Sequence, residues 1–196
     1  MPLHYVLSEI PICMAAIWGA HRLWLNRQLL GSVGVMFYGL AALTGVIRIT
    51  SGAEDVLAPA HRLVSQAGGV VGLVLIVSEI ARLRGWKLPL WAVLVSAGFA
   101  TWAALKGAEW GALVFLGLLA TGAILLATHG GGIRKAFLAI WFAVMAPNIL
   151  FVRQSPLLDP AASWHAYHLI IAVWLIAVIA GLKQTQAASL NRALSA

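Results

Sequence analysis

The sequence predicts an all-α integral membrane protein, folded as a bundle of seven transmembrane helices. Of its 196 residues, 62% are hydrophobic and 10% are charged, and the mean hydropathy is +0.92. Soluble domains carry about 25% charged residues, so this composition excludes an ordinary soluble domain. The second observation is that the apolar residues are grouped in stretches of about 20 residues, the length that a membrane-crossing helix needs.

Short polar connections divide the chain into its predicted helices. They contain charged residues, glycine or proline, which interrupt helices, and they lie at 26–28, 51–55, 84–87, 106–107, 130–132 and 156–160. The seven apolar segments between them are 5–24, 29–49, 61–82, 88–105, 109–129, 135–153 and 163–183. We therefore expect one transmembrane domain over residues 1–183, followed by a short polar cytoplasmic tail, 184–196.

The basic residues indicate an orientation. If the helices alternate in direction, nine of the 13 Lys and Arg residues fall on one side of the membrane: Arg22, Arg27, Arg82, Arg84, Lys87, Arg134, Lys135, Lys183 and Arg192. Cytoplasmic loops carry the excess of Lys and Arg, which predicts an outside N-terminus and a cytoplasmic C-terminus in a bacterial inner membrane. Since the basic residues are confined to loops, the net charge of +7 does not indicate a nucleic-acid partner.

Three histidines begin helices at the predicted outer face. His165 and His168 are three residues apart and therefore share one side of the last helix, and His61 begins the third helix. Ionisable groups inside a membrane segment are costly and usually mark function. Three imidazoles at one depth predict a zinc site whose fourth ligand is an activated water. The alternative is that each histidine is an ordinary interfacial residue.

Other polar residues gather at the same predicted depth. Glu9, Asp55 and Ser65 are the candidate catalytic residues, because a carboxylate beside a metal can act as a base or orient a ligand. The candidate substrate-binding residues are Arg48, Asn148 and Trp164. An arginine in a pocket can hold a phosphate or carboxylate through two hydrogen bonds, although Arg48 can equally extend outward to the interface.

Seven helices, an acidic residue early in the first (Ser8-Glu9) and paired histidines opening the last resemble the CREST superfamily. That superfamily includes alkaline ceramidases and adiponectin-receptor-like proteins. The resemblance implies a zinc site, a lipid-binding cavity and hydrolysis of a lipid amide bond. The sequence differs in two motifs: His165 and His168 are one residue closer than the family's pair, and Arg48 follows Thr44 where the family has Ser-x-x-x-His. His61 would supply the missing ligand.

The leading hypothesis is thus a zinc-dependent hydrolase of a lipid or other amphipathic substrate at the outer face, with membrane lipids as its partners. One alternative is an electron-transfer subunit with b-type haems, to which His21 and His129 at the inner face would contribute axial ligands. The other is a protein without catalysis, either a transporter for a lipid or small molecule or an accessory subunit of a larger complex.

Overall fold

The computed structural model describes residues 2–128, 133–153 and 155–194, and these residues form a bundle of helices. A short 3-10 turn, Leu3–Tyr5, leads into the first helix. The helices are α1 (Val6–Leu25), α2 (Leu29–Thr50), α3 (Glu54–Leu83), α4 (Leu90–Lys106), α5 (Ala108–Ala127), α6 (Ile133–Ala143) and α7 (Pro160–Leu194). After α6, a single turn, Met145–Pro147, continues into a π-helical stretch, Asn148–Val152.

Consecutive helices pack side by side, and α7 returns to α1 to close the ring. Helix α3 also contacts α5 and α7, so it lies at the centre. Two glycines allow the close approach of α2 and α3. A Cβ atom at Gly34 would lie 2.6 Å from the carbonyl oxygen of Gly72, and one at Gly72 would lie 2.7 Å from that of Gly34. Small residues of this kind let membrane helices pack closely.

The helices have the length and surface of a membrane-embedded protein. Five are long and apolar enough to cross a membrane, and Leu90–Lys106 and Ala136–Val152 are shorter apolar helices. Large apolar side chains cover the outside of the bundle, among them Leu7, Met14, Trp91, Ile140 and Phe151. Soluble proteins rarely expose such extensive apolar surface. The interior packs around the fully buried Trp174.

Two helices extend beyond their predicted ends. Helix α3 begins at Glu54 instead of 61, since Glu54 and Asp55 in its first turn interact favourably with the positive end of the helix dipole. Helix α7 continues past 183 to Leu194. Its Gln186 accepts a hydrogen bond from Gln28 at 2.7 Å and donates one to the carbonyl of Asn26 at 2.9 Å. The segment predicted as a tail therefore begins as packed helix.

The segment predicted as one helix over 135–153 is interrupted. Proline at 147 has no N–H to donate to the carbonyl four residues earlier, and the α-helix ends at Ala143. A π-helical stretch follows, and Met145, Ile149 and Arg153, which lie before, within and after it, line the interior cavity described below. Such π-helical turns occur frequently at functional sites.

The buried Glu79 links α3 to the start of α2. Its carboxylate accepts hydrogen bonds from the backbone N–H groups of Leu30 (3.0 Å) and Gly31 (3.3 Å), at the start of α2, and it pairs with Arg82. A carboxylate at a helix N-terminus satisfies donors that the helix cannot bond itself. Glu79 thus has a structural role, joining α3 to α2.

Candidate functional site

A cavity of about 350 Å³ lies at the end of the bundle where α1, α3 and α7 begin. Side chains from α1 to α5, from α7 and from the Met145–Arg153 segment line it. Pockets for small molecules usually measure roughly 300–1,000 Å³. The cavity is therefore large enough for a small ligand or for part of a larger one.

A carboxylate and an imidazole meet in its wall. Oε1 of Glu9 lies 3.3 Å from Nε2 of His168, and both side chains are buried. The pair is close but not aligned as a hydrogen bond, and Oε1 accepts none within the described residues. A buried acceptor without a donor is uncommon in native proteins and requires an explanation.

The second ring nitrogen of His168 fixes its tautomer. Nδ1 lies 2.7 Å from the carbonyl oxygen of Trp164, one turn earlier in α7. A carbonyl oxygen can only accept, so Nδ1 carries the proton in the neutral ring. Nε2 then has a free lone pair, which faces Glu9.

His61 is held in the same manner. Its Nδ1 lies 3.1 Å from Oγ1 of Thr44, and that hydroxyl donates its proton to the carbonyl of Ala41 at 2.8 Å. The hydroxyl oxygen can therefore only accept from His61, whose Nδ1 carries the proton. Nε2 of His61 has no hydrogen-bond partner in the described part of the chain, and the ring lines the cavity.

A glycine on α2 brings Glu9 close to His61. A Cβ atom at Gly45 would lie 2.8 Å from Oε1 of Glu9 and 3.3 Å from Cε1 of His61. Any larger residue at this position would displace one of the two groups. The absent side chain therefore makes room for the carboxylate and the imidazole together.

Arg153, Trp164 and Ser65 are further polar side chains of the wall. The guanidinium of Arg153 lies 5.7 Å from the centre of the Tyr167 ring, in the range of a cation–π contact. Nε1 of Trp164 is buried and has no hydrogen-bond acceptor among the described residues. Ser65 lines the cavity, and its hydroxyl donates to the carbonyl of Arg62 at 3.2 Å.

Four predicted site residues lie outside the cavity wall. His165 bonds to Ser8 at 3.0 Å, and its ring stacks on that of Tyr5. Asp55 is exposed in the first turn of α3. Arg48 is half-buried near the end of α2. Asn148 is buried and donates to the carbonyl of Tyr167 at 3.1 Å, which holds the π-helical stretch against α7.

The wall also contains Tyr38, Gln66 and Arg153, which the sequence had not singled out as site residues. A signal for Arg153 was present, since it is one of the few basic residues on the side of the membrane predicted to be poor in them. Of the histidines considered for haem, His21 is exposed at the opposite end of α1, and His129 lies outside the described residues.

The cavity wall contains side chains of the types that bind zinc. Within residues 2–128, 133–153 and 155–194, no three His, Cys, Asp or Glu side chains already form a metal-binding group. The wall does contain two imidazoles with free Nε2 lone pairs and one carboxylate, the donor types that catalytic zinc takes. Both imidazoles bond through Nδ1 to protein oxygens, as zinc-binding histidines usually do.

The chain matches no protein-family model, and no curated protein or solved structure is significantly similar to it. The resemblance to the CREST superfamily therefore stays a prediction.

Proposed function

We propose that this protein is a membrane-embedded hydrolase that binds zinc through Glu9, His61 and His168 and acts on an amphipathic substrate. The observation that carries the proposal is that Nε2 of His168 faces the unpartnered Oε1 of Glu9 at 3.3 Å. His61, with its own Nε2 lone pair available, lines the same cavity. This set differs from the histidine trio expected from the sequence, because Glu9 takes the place of His165.

Each of these side chains has a defined task. The hydrogen bonds to Trp164 and Thr44 hold the two imidazoles in the tautomer that binds metals. When bound, zinc would polarise a substrate carbonyl and lower the pKa of a coordinated water toward neutrality. The indole N–H of Trp164, buried without an acceptor in the described part of the chain, would donate to a polar oxygen of the substrate.

The distribution of side chains around the cavity supports an amphipathic substrate. Arg153, at the polar end, would bind an anionic head group such as a carboxylate or phosphate. The deeper wall is apolar and contains Val70, Phe115, Met145 and Ile171. A substrate with a charged head group and a hydrocarbon chain would contact both ends of the cavity. Substrates and products of lipid hydrolysis have this form.

The direct contact between Glu9 and His168 favours a second candidate, hydrolysis without a metal. A carboxylate and an imidazole in contact can transfer a proton between them and act together as general acid and base. In this mechanism His168 would take a proton from water, and Glu9 would stabilise the resulting imidazolium.

We propose further that the bundle crosses a bacterial inner membrane seven times, with the N-terminus outside. The two shorter apolar helices then also span it, and the cavity lies near the outer face. The excess of basic residues at the opposite end of the bundle supports this orientation. The substrate would reach the cavity from the outer leaflet.

Metal analysis of the purified protein tests the proposal. The protein is purified through a streptavidin-binding tag, since a polyhistidine tag binds zinc itself, and zinc is measured by mass spectrometry. We expect one zinc per chain in the wild type and a large loss in His61→Gln and in His168→Gln. His21→Gln, which changes an exposed histidine at the other end of α1, should keep the wild-type content.

Turnover of fluorogenic acyl esters and acyl amides separates the two candidates. Hydrolysis that needs zinc and is lost in both cavity variants supports the metal-dependent enzyme. Hydrolysis by metal-free protein that survives in His61→Gln but not in His168→Gln supports the acid–base pair instead. A protein with neither zinc nor hydrolysis would overturn both candidates and favour a binding or transport function.

A further inference from the structure

One glycine in the cavity wall has open space in front of it. Gly69 is buried within α3 and lines the cavity, yet a Cβ atom built on it would have no described residue within 4 Å, apart from its chain neighbours and the backbone of its own helix. A buried position with no neighbour must face the cavity itself. The adjacent Gly68 differs, because a Cβ there would lie 3.3 Å from the Phe37 ring, in the contact between α2 and α3.

Gly69 lies between the polar and the apolar end of the cavity. Along α3, the wall runs from His61 to Val70, a rise of roughly 14 Å at 1.5 Å per residue. Gly69 is in the deeper part of this run. Its carbonyl accepts a hydrogen bond from the hydroxyl of Tyr38 at 2.9 Å, which fixes the backbone there.

The volume limits what can enter. A cavity of about 350 Å³ lies near the lower end of the range for small-molecule pockets, roughly 300–1,000 Å³. This is enough for one hydrocarbon chain of moderate length.

We infer that the cavity admits a single straight hydrocarbon chain, and that Gly69 determines how far that chain can enter. The chain passes the open face of Gly69 to reach the apolar end formed by Val70, Phe115 and Ile171. A side chain at position 69 would occupy this path and restrict the cavity to shorter chains. The inference rests on the proposed function, because the same cavity is the substrate site.

Binding without turnover tests the inference separately from catalysis. Wild-type protein and its variants are incubated with straight-chain carboxylates from hexanoate to hexadecanoate, and retained ligand is measured by native mass spectrometry. We expect the wild type to retain one molecule, with affinity rising with chain length until the cavity is full. Each methylene excluded from an apolar site costs about fourfold in affinity.

Gly69→Leu should therefore lose tenfold or more in affinity for the longer carboxylates and little for hexanoate. Gly69→Ala should show the same change to a smaller degree. If the leucine variant does not fold, the alanine variant is used in its place. The matched control is Gly98→Leu, at a helical glycine on the exposed side of α4 whose Cβ position has none of the other described helices within 4 Å. It should keep the wild-type profile.

Two results would overturn the inference: wild-type protein that retains no chain or more than one, or an unchanged chain-length profile in both Gly69 variants. Failure of the proposed function would give a different combination of binding and hydrolysis results. Length-selective binding that shifts in the Gly69 variants, in a protein that hydrolyses no ester or amide, would leave the inference standing and remove the hydrolase.

Discussion

Nε2 of His168 lies 3.3 Å from Oε1 of Glu9 in the interior of a bundle of apolar helices. The two residues come from the first and the last helix, and both side chains are buried. Ionisable groups are costly to bury among apolar helices, and those that are found there usually mark function, since packing alone would be served better by apolar side chains. We therefore propose this contact as the functional centre of the molecule.

Replacing Glu9 by Gln tests that centre while preserving shape. The amide removes the charge and the carboxylate that would bind zinc, so we expect bound zinc and turnover to fall at least tenfold. The melting temperature should stay the same or rise, because a buried carboxylate without a hydrogen-bond donor disfavours the folded state. Zinc content, turnover and thermal unfolding are measured on the same preparation. Full zinc content and turnover in Glu9→Gln would contradict the assignment.

Gly45→Ala tests the arrangement of Glu9 and His61 without altering either of them. The new methyl group would lie 2.8 Å from Oε1 of Glu9, which is the free end of a flexible side chain. The carboxylate can move at little cost in stability, but it then leaves its position beside His168. We expect turnover to fall several-fold with a nearly unchanged melting temperature.

The control for this variant is Gly98→Ala, which adds a methyl group to an exposed helical position. It should retain wild-type turnover. Equal turnover in Gly45→Ala and Gly98→Ala would show that the position of the Glu9 carboxylate does not matter for the reaction.

Composition and polar connections were sufficient to predict the helices but not their ends. The start of α3 at Glu54 and the continuation of α7 to Leu194 depend on charges at a helix N-terminus and on contacts with distant residues such as Gln28. A hydropathy pattern gives no information about charges at helix ends or about contacts between distant residues. The interruption of α6 was signalled by Pro147, although a proline inside an apolar segment does not specify the π-helical stretch that follows.

Part of the cavity wall was likewise predictable. Glu9, His61, Ser65, Trp164 and His168 were recognised from residue type and predicted depth, and all five line the cavity. Helical spacing alone could not show which of the two histidines of α7 faces the cavity. Residues three apart differ by about 60° around a helix of 3.6 residues per turn, enough for His168 to face the cavity while His165 packs on Tyr5.

Arg153→Gln tests the recognition of an anionic head group. A hydrogen bond to a charged group contributes about 1.5–3 kcal/mol, so the affinity for dodecanoate should fall roughly tenfold or more. The affinity for dodecanol, which has the same chain and no charge, should change little. Arg62→Gln is the matched control, since Arg62 is exposed on α3 and does not line the cavity. Equal losses for both ligands would indicate a change in the cavity itself instead of a lost charge contact.

Gly34→Ala tests the close packing of α2 on α3. The added methyl group would lie 2.6 Å from the backbone carbonyl of Gly72, and neither helix can yield there without separating. Overpacking of this kind costs about 1–3 kcal/mol, which should appear as a lower melting temperature in detergent. Gly117→Ala, on the exposed face of α5, should show no such loss. An unchanged melting temperature in Gly34→Ala would mean that the two helices are not in contact at these glycines.

The orientation of the bundle decides from which side a substrate reaches the cavity. Nine basic residues against four predict a cytoplasmic C-terminus. A green fluorescent protein fused after residue 196 should therefore fluoresce, and an alkaline phosphatase fused at Gly52, between α2 and α3, should be active. Exchanging the two reporters supplies the control, because each is inactive on the opposite side of the membrane. An active phosphatase at residue 196 together with a fluorescent fusion at Gly52 would place the cavity at the cytoplasmic face, and its substrate in the inner leaflet.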